Sequence, residues 1–279
     1  MDIQRFAAFA TGDAGGNPAG VVLSDTAYSE AEMARVAAEV GYSETAFAVA
    51  QDNSGKAWRV RYFSPESEVP FCGHATIALG AALGLHAGPG EFDLTLNNAA
   101  ITVAAQTSEA GMQASLSSPP TQSQAISDDE LADALALFGF EQGDLDPRLA
   151  PARIHGGADH IVLALKARSQ LAGMSYDLDQ GREMMRKHGI VTIMLVVIAG
   201  DQSFDVRNAF ASGGVLEDPA TGAAAAAFAG YLRDQAWPHG GKLTLRQGED
   251  MGQPSLIQVE LDDTAGAPVR ISGRVRDMA

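Results

Sequence analysis

Residues 71–85 read FCGHATIALGAALGL and contain the only cysteine of the chain, Cys72, two positions before His74. From Gly73 onward the stretch is rich in alanine and leucine, and this composition predicts a helix that ends near Gly84. Small side chains along such a helix let neighbouring strands approach it closely on all sides. The cysteine beside a histidine also suggests a thiol nucleophile with its base, a hypothesis that the rest of the sequence tests.

A second stretch of the chain repeats this pattern. Shifted by 146 residues, segment 60–84 aligns with 206–230 without a gap, and six of the 25 positions are identical. Alanine-rich helices match easily, so the shared order of strand, loop, small-residue turn and helix is the stronger argument. The repeat predicts an α+β protein with two pseudo-symmetric domains, each a curled β-sheet or barrel around a central helix. In this alignment Cys72 lies opposite Asp218, and both precede a predicted helix.

The polar, proline-rich segment 117–124, SSPPTQSQ, is the best candidate for a boundary between the halves. We therefore predict an N-terminal domain at residues 1–118 and a C-terminal domain at residues 124–279. The last strand of the chain is available to complete the first domain.

Glu44 occupies a distinctive place in the first half. Ser29 and Glu32 fit a capping box for a helix that stops at Gly41, and the strand pattern YSETAFAVA follows directly. Glu44 is thus predicted at the junction between a helix and a strand.

The composition indicates a folded protein and argues against several classes of partner. The chain has 279 residues, of which 46% are hydrophobic and 19% charged, and its formal net charge is −16. Such an acidic surface repels nucleic acids and anionic membranes, because phosphate binding relies on Lys and Arg. One cysteine cannot form an intramolecular disulfide, and no apolar window approaches the length of a membrane span. We expect a soluble, cytoplasmic protein without a signal peptide.

Both predicted helices begin where an anion could bind. A helix start presents unpaired N–H groups and a partial positive charge. Two such starts pointing into one interdomain cleft would form a carboxylate site, framed by Gly73, His74, Thr221 and Gly222. Gly and Thr are also ordinary capping residues, but two related turns in a duplicated chain favour the binding site.

Four blocks occur in order along the chain, and together they resemble the PhzF-like family, named for the phenazine-biosynthesis isomerase. They are GNPAGVV (16–22), SETAF (43–47), RYFSPESEVPFCGHAT (61–76) and FDVRNAFASGGVLEDPATG (204–222). The resemblance covers nearly the whole chain. It implies the fold of diaminopimelate epimerase and proline racemase, an active site in the interdomain cleft, and a homodimer.

The resemblance also implies roles for individual residues. It assigns the catalytic acid/base role to Glu44 and implies that His74 and Asp218 are catalytic residues that orient and polarise the substrate. A carboxylate in a closing, partly desolvated cleft can both give and take a proton. Many relatives carry a hydroxyl residue where this chain has Ala223, so backbone N–H groups would bind the substrate carboxylate here. The predicted substrate-binding residues are Ser43, Gly73, Thr221, Gly222 and Ala223.

The comparison answers the question that Cys72 raises. Epimerases and racemases of this fold use two thiols on opposite faces of a substrate carbon, because one base returns the proton to the face it came from. This chain has one cysteine, which excludes a two-thiol racemase. A mixed Cys72/Asp218 pair stays open, and a buried, inert small residue is the favoured interpretation of Cys72.

We therefore expect a cofactor-independent isomerase of a small carboxylate that transfers a proton through Glu44. The sequence has no metal-ligand spacing, nucleotide loop or serine-nucleophile motif, so neither a metal nor a cofactor is expected. Two alternatives stay open: an epimerase or dehydratase of an amino or hydroxy acid, and a binding protein that kept the fold without turnover. The expected partners are a small-molecule carboxylate and a second copy of the chain.

Overall fold

The computed structural model describes residues 1–109 and 111–278, and most of its regular structure is strand. The strands are β1 (Gln4–Ala8), β2 (Asn17–Ser24), β3 (Glu44–Ala50), β4 (Ala57–Phe63), β5 (Glu68–Val69), β6 (Gly90–Thr95), β7 (Ala100–Ser108), β8 (Gly111–Ser117), β9 (Gln122–Ala125), β10 (Ala152–His155), β11 (Asp159–Leu165), β12 (Thr192–Gly200), β13 (Ser203–Ala209), β14 (Glu217–Asp218), β15 (Lys242–Gln247), β16 (Ser255–Glu260) and β17 (Arg270–Asp277). The α-helices are α1 (Glu30–Val40), α2 (Gly73–Ala87), α3 (Asp128–Phe138), α4 (Arg168–Ala172), α5 (Leu178–His188) and α6 (Gly222–Asp234). Short 3₁₀ turns cover Gln142–Asp144, Ala211–Gly213 and Glu249–Met251. Within the described ranges, no helix is long and apolar enough to cross a membrane.

The chain divides into two compact units. The first comprises Met1–Ser117 together with the C-terminal segment from Ser272 onward, and the second comprises Ser118–Ile271. The final strand β17 therefore returns to the unit in which the chain began.

Eight strands of the first unit close into a barrel. The pairs run β1–β2–β3–β4–β6–β7–β8–β17 and return from β17 to β1. The β2–β3 and β4–β6 pairs are parallel, because α1 and α2 cross over between them. Closure leaves no free sheet edge in this circuit. The predicted α+β class, with a barrel around a central helix, is confirmed.

Helix α2 lies inside this barrel, and all of residues 74–84 are buried. A Cβ atom on Gly80 would lie 2.6 Å from Val103 Cγ2, and one on Gly84 would lie 2.6 Å from Ala105 Cβ. The strands can approach this closely only because these positions carry no side chain. Packing inside the barrel thus explains the small residues of the helix, which continues past Gly84 to Ala87.

The second unit has a sheet with one central helix on its inner face. Its strands pair in the order β9, β10, β11, β12, β13, β15, β16, with parallel β11–β12 and β13–β15 pairs. Phe204 of β13 packs edge-to-face on Phe228 of α6, with ring centroids 5.0 Å apart. On the outer face, α3, α4 and α5 cover the sheet through a buried apolar cluster that includes Leu135, Ile161, Leu163, Leu171, Met184, Met185, Ile193 and Leu195.

The two units repeat the same pairing pattern, but the gapless alignment is wrong across the turn before the central helix. Phe63 and Ala209, at the ends of β4 and β13, differ by 146, whereas Glu68 and Glu217, which pair with them, differ by 149. The second unit holds its extra residues in a longer loop that includes a 3₁₀ turn. Both helices then start in the new register, at Gly73 and Gly222.

The prediction that Cys72 lies opposite Asp218 is therefore wrong. Cys72 is the N-cap residue of α2, and its counterpart at the N-cap of α6 is Thr221. Asp218, in the register of the β4–β5 and β13–β14 pairs, corresponds to Val69.

Candidate active site

Glu44 is the first residue of β3, and the capping of α1 fixes where that strand begins. The predicted capping box is confirmed, since Ser29 accepts a hydrogen bond from the Glu32 amide and Glu32 accepts one from the Ser29 amide. Gly41 ends the helix in the left-handed conformation, at φ 71°. Glu44 follows with its side chain 14% exposed, so its carboxylate lies largely out of water.

His74 lies in the first turn of α2, beside Glu44. Its Nε2 atom is 3.4 Å from Glu44 Oε2 and 3.3 Å from Ser43 Oγ, and its Nδ1 atom is 3.3 Å from Cys72 Sγ. An ionised carboxylate only accepts hydrogen bonds, so the contact with Glu44 favours a proton on Nε2. Nδ1 is then an acceptor for the Cys72 thiol. The imidazole thus links a thiol to a carboxylate.

Cys72 is 8% exposed and does not cap the helix with its side chain. Its carbonyl accepts from the Thr76 amide at 3.0 Å and from Thr76 Oγ1 at 2.7 Å. Tyr62 of β4 in turn lies 2.6 Å from Thr76 Oγ1, and burial raises the pKa of this phenol. A neutral, buried network thereby fixes the start of α2 against the barrel wall.

Glu44, Cys72 and His74 could together hold a metal ion. One ligand atom from each lies within 4.8 Å of the others. A carboxylate, a thiol and an imidazole are a donor set that suits Zn²⁺. The same three groups can exchange protons without a metal, because each has a protonated and a deprotonated form.

The second unit has a different cluster where α6 begins. Asp218, the last residue of β14, is 8% exposed and accepts a hydrogen bond from Thr221 Oγ1 at 2.5 Å. The Thr221 hydroxyl thus bonds the carboxylate and makes no cap bond to the helix. The first amides of α6, including those of Gly222 and Ala223, have no acceptor within the helix and are suited to bind an anion.

Gln247, the last residue of β15, fixes this turn and was not identified from the sequence. Its Nε2 atom donates to the Asp218 carbonyl at 2.6 Å and to Thr221 Oγ1 at 3.0 Å, and its Oε1 atom accepts from the Thr221 amide at 3.1 Å. The side chain is 1% exposed, so these bonds satisfy a buried amide. A polar residue at the end of the alternating pattern KLTLRQ is a weak signal that could have indicated it.

An arginine–glutamate pair stabilises the short strand before each central helix. In the first unit Arg61 donates to Glu68 at 2.7 and 2.5 Å, and this hydrogen bonding lowers the pKa of Glu68. In the second unit Arg207 donates to Glu217 at 2.9 and 2.5 Å, which raises the pKa of the arginine. Sequence reasoning found both arginines as matching positions without assigning their partners.

Within the first unit, the structure brings Ser43, Glu44 and His74 together around the start of α2, where Gly73 is the first helical residue. Within the second unit it places Asp218, Thr221, Gly222 and Ala223 together at the start of α6. The proposed roles of these residues in catalysis and substrate binding stay predictions.

A sheet wrapped around a small-residue helix, with polar groups at the helix start, defines the class of fold to which the chain belongs. A solved structure of a probable proline racemase from Agrobacterium radiobacter has this fold, with a TM-score of 0.63, 12% identity, and 98% of this chain and 89% of that chain covered. A solved PhzF-family phenazine biosynthesis protein from Bacillus anthracis is more similar in structure. Its TM-score is 0.85 at 21% identity, with 100% of this chain and 98% of that chain covered.

The chain belongs to the phenazine biosynthesis-like protein family, whose model matches residues 6–276. An uncharacterized isomerase from Deinococcus radiodurans is 32% identical over 272 residues, covering 92% of this chain and 85% of that protein. Trans-2,3-dihydro-3-hydroxyanthranilate isomerase from Pseudomonas chlororaphis is 29% identical over 267 residues, covering 95% of this chain and 91% of that protein. The family prediction is confirmed, and the chain is an enzyme of the isomerase class.

Proposed function

We propose that this isomerase moves a proton between two carbons of a small carboxylate through Glu44, without a cofactor. The contact between Glu44 and His74, at 3.4 Å in a nearly buried cluster, is the observation that carries the proposal. Glu44 takes a proton from an activated carbon and returns it to another carbon on the same face. His74 donates to the carboxylate and orients it, and Ser43 supports the imidazole.

A single carboxylate suits this reaction. Moving a proton along one face of a substrate needs one group that first accepts and then donates. A carboxylate can fill both roles, because its deprotonated form accepts a proton and its protonated form donates one. Reversible inversion at one carbon would need a second group on the opposite face.

The start of α6 is proposed to bind and polarise the substrate. The free amides of Gly222 and Ala223 would bind its carboxylate, in keeping with the preference of helix starts for anions. Asp218, held by Thr221, would accept a hydrogen bond from a hydroxyl or amino substituent. We also propose that the protein is a cytoplasmic homodimer, as the family resemblance implies.

The test follows deuterium by NMR while the protein is incubated in D₂O with trans-2,3-dihydro-3-hydroxyanthranilate, the compound named for the Pseudomonas relative. A panel of small hydroxy and amino acids is run in parallel. Glu44→Gln keeps the shape but removes the base, and general acid–base catalysis of this kind is worth about 10²- to 10⁴-fold in rate. We expect Glu44→Gln to lower the rates of substrate conversion and of deuterium incorporation by that factor.

Glu39→Gln is the matched control. Glu39 is an exposed residue near the end of α1, with 58% of its side chain accessible and an ion pair to Arg35. The same chemical change there should leave turnover unaltered. Full activity of Glu44→Gln on a substrate that the wild type converts would contradict the assignment.

An epimerase is the second candidate, because Cys72 Sγ lies 3.3 Å from His74 Nδ1 and could supply another proton-transferring group. This reaction would place deuterium at the substrate Cα and keep its carbon skeleton and double bonds unchanged. The position of the label in the same experiment therefore separates the two reactions.

A further inference from the structure

Three buried polar residues form a chain across neighbouring strands of the second unit. His160 Nδ1 lies 2.8 Å from Thr192 Oγ1, and Thr192 Oγ1 lies 3.1 Å from Asn208 Oδ1. The exposed fractions of the three residues are 0%, 1% and 0%. Nothing in the proposed proton transfer uses them, so a buried network of this kind calls for its own explanation.

The directions of these hydrogen bonds can be assigned. The Thr192 hydroxyl has one hydrogen and gives it to Asn208 Oδ1, so it accepts the proton of His160 Nδ1. Burial lowers the pKa of His160 to about 3, so the ring is neutral and carries this single proton. The network therefore fixes the Asn208 amide with its oxygen bound and its NH₂ group pointing away from Thr192.

The NH₂ group of Asn208 has no hydrogen-bond acceptor among the residues that the structure describes. Asn208 pairs with Asp218 across β13 and β14, so the two side chains lie on the same face of the sheet. Phe204, four residues earlier in β13, contacts Phe228 of α6 from that face. The amide donor thus lies beside Asp218, on the side of the sheet where α6 packs.

The strand register gives independent support for a functional position. Ala19 pairs with Glu44 at the start of β3, and His160 pairs with Thr192 at the start of β12. Thr192 therefore occupies in the second unit the place that Glu44 has in the first. The middle residue of the polar chain thus lies where the other repeat carries its proposed base.

We propose that Asn208 is a substrate-binding residue whose NH₂ group donates to a substrate hydroxyl, while that hydroxyl donates to Asp218. A hydroxyl fits because it accepts and donates at once; an ammonium group has no acceptor, and a second carboxylate would be repelled by Asp218. Thr192 and His160 are positioning residues that hold the amide in this orientation. The inference rests on the proposed function and narrows its substrate class to hydroxy acids.

The test uses three variants with trans-2,3-dihydro-3-hydroxyanthranilate and its analogue without the 3-hydroxyl. Asn208→Leu removes the donor at similar size, Thr192→Val removes the hydroxyl, and Thr192→Ser keeps it. We expect Asn208→Leu to raise KM for the hydroxy acid about 10-fold, the effect of one hydrogen bond, with little change in kcat. Thr192→Val should raise this KM by a smaller factor, and Thr192→Ser should keep it near the wild-type value. The KM for the analogue should be unchanged in all three variants.

Ligand binding to the wild-type protein, measured by NMR, tests the inference even if the variants fold poorly or have lost turnover. In the ¹⁵N-labelled wild type, the side-chain NH₂ signal of Asn208, assigned by its loss in Asn208→Leu, should shift as the hydroxy acid is added. No shift with this compound at saturation would overturn the inference, as would unchanged KM in both Asn208→Leu and Thr192→Val. If trans-2,3-dihydro-3-hydroxyanthranilate does not bind, the same spectra are recorded with a panel of small hydroxy acids. The absence of a shift with every member of the panel would also overturn the inference.

The outcomes separate this inference from the proposed function. Loss of turnover in Glu44→Gln, with wild-type KM in Asn208→Leu, refutes only the role of Asn208. Full turnover in Glu44→Gln, with weaker binding of the hydroxy acid to Asn208→Leu, refutes only the proton transfer by Glu44.

Discussion

The starts of the two central helices share a backbone arrangement and differ in chemistry. At α2 the N-cap residue is Cys72, whose Sγ atom lies near the His74 imidazole, and that imidazole lies 3.4 Å from the Glu44 carboxylate. At α6 the N-cap residue is Thr221, which forms a closed set of hydrogen bonds with Asp218 and Gln247. The same strand, turn and helix thus support a cluster of titratable side chains in one unit and a hydrogen-bonded polar cluster in the other.

The register extends this difference beyond the helix starts. Thr192, a neutral residue in a buried network, takes the place of Glu44, and Asn208 takes the place of Tyr62. If Glu44 is the proton-transferring base, as proposed, proton transfer is confined to the first repeat. The second repeat would then serve substrate binding, and Asp218→Asn and Cys72→Thr test this division.

After Glu44→Gln, the largest effect is expected from Asp218→Asn. If the second unit binds the substrate, this change removes a charged acceptor, and hydrogen bonds to charged groups are worth about 10- to 100-fold in binding. We expect KM to rise by that factor while kcat changes little, the reverse of the pattern for Glu44→Gln. Steady-state kinetics of both variants on the same substrate measure KM and kcat separately.

Asp179→Asn is the control for this variant, since Asp179 is exposed on α5 and pairs only with Arg182 among its described contacts. It should leave both constants unchanged. A fall in kcat with constant KM for Asp218→Asn would mean that both helix starts take part in the chemistry, and the division between the units would then be wrong.

Much of the fold could be predicted where a local sequence pattern determines the structure. The capping box at Ser29 follows from the spacing of Ser29 and Glu32, and it is present in the structure. The small residues of α2 predicted a helix surrounded by strands, because side-chain volume limits how closely strands pack. The repeat was visible because the shared order of strand, loop and helix extends over 25 residues.

The features that could not be predicted from the sequence depend on the register between strands that are distant in the chain. The gapless alignment placed Cys72 opposite Asp218, because alanine matches in the helices hid three extra residues in the second turn. Gln247 lies 26 positions after Thr221, and no local pattern links them. His160, Thr192 and Asn208 meet only through the β11–β12–β13 pairing, and no local sequence pattern links them.

A smaller effect is expected on the acid stability of the second unit. The folded pKa of His160, about 3, lies below its usual value, so the unfolded chain binds more protons between pH 3 and 6.5. Folding stability therefore falls as the pH drops through this window, by at most about 1.4 kcal/mol per pH unit from this group. His160→Asn, which keeps a donor for Thr192, should show a shallower pH dependence than the wild type.

The measurement is urea unfolding at several pH values, followed by tryptophan fluorescence in a Trp58→Phe background so that Trp237 reports the second unit. His86→Asn is the control, because this histidine lies near the end of α2 in the first unit and packs edge-on against Trp58 in the wild type. Equal slopes for His160→Asn and its parent would mean that His160 is charged, or exposed, in the folded protein.

The smallest effect is expected from Cys72→Thr, which gives α2 the N-cap residue of α6. If Cys72 only packs and donates to His74, a threonine hydroxyl can make the same contact. Turnover should then change less than about 2-fold, or about 0.4 kcal/mol, which is below the 0.5–1.5 kcal/mol of one hydrogen bond. If the thiol is instead the second proton carrier of an epimerase, exchange at the substrate Cα should fall by about 10²-fold or more, as for a general acid or base. Because the substitution copies the other repeat, retained isomerisation would show that the difference between the two helix starts lies in Glu44 and His74, and loss of Cα exchange would assign it to the thiol.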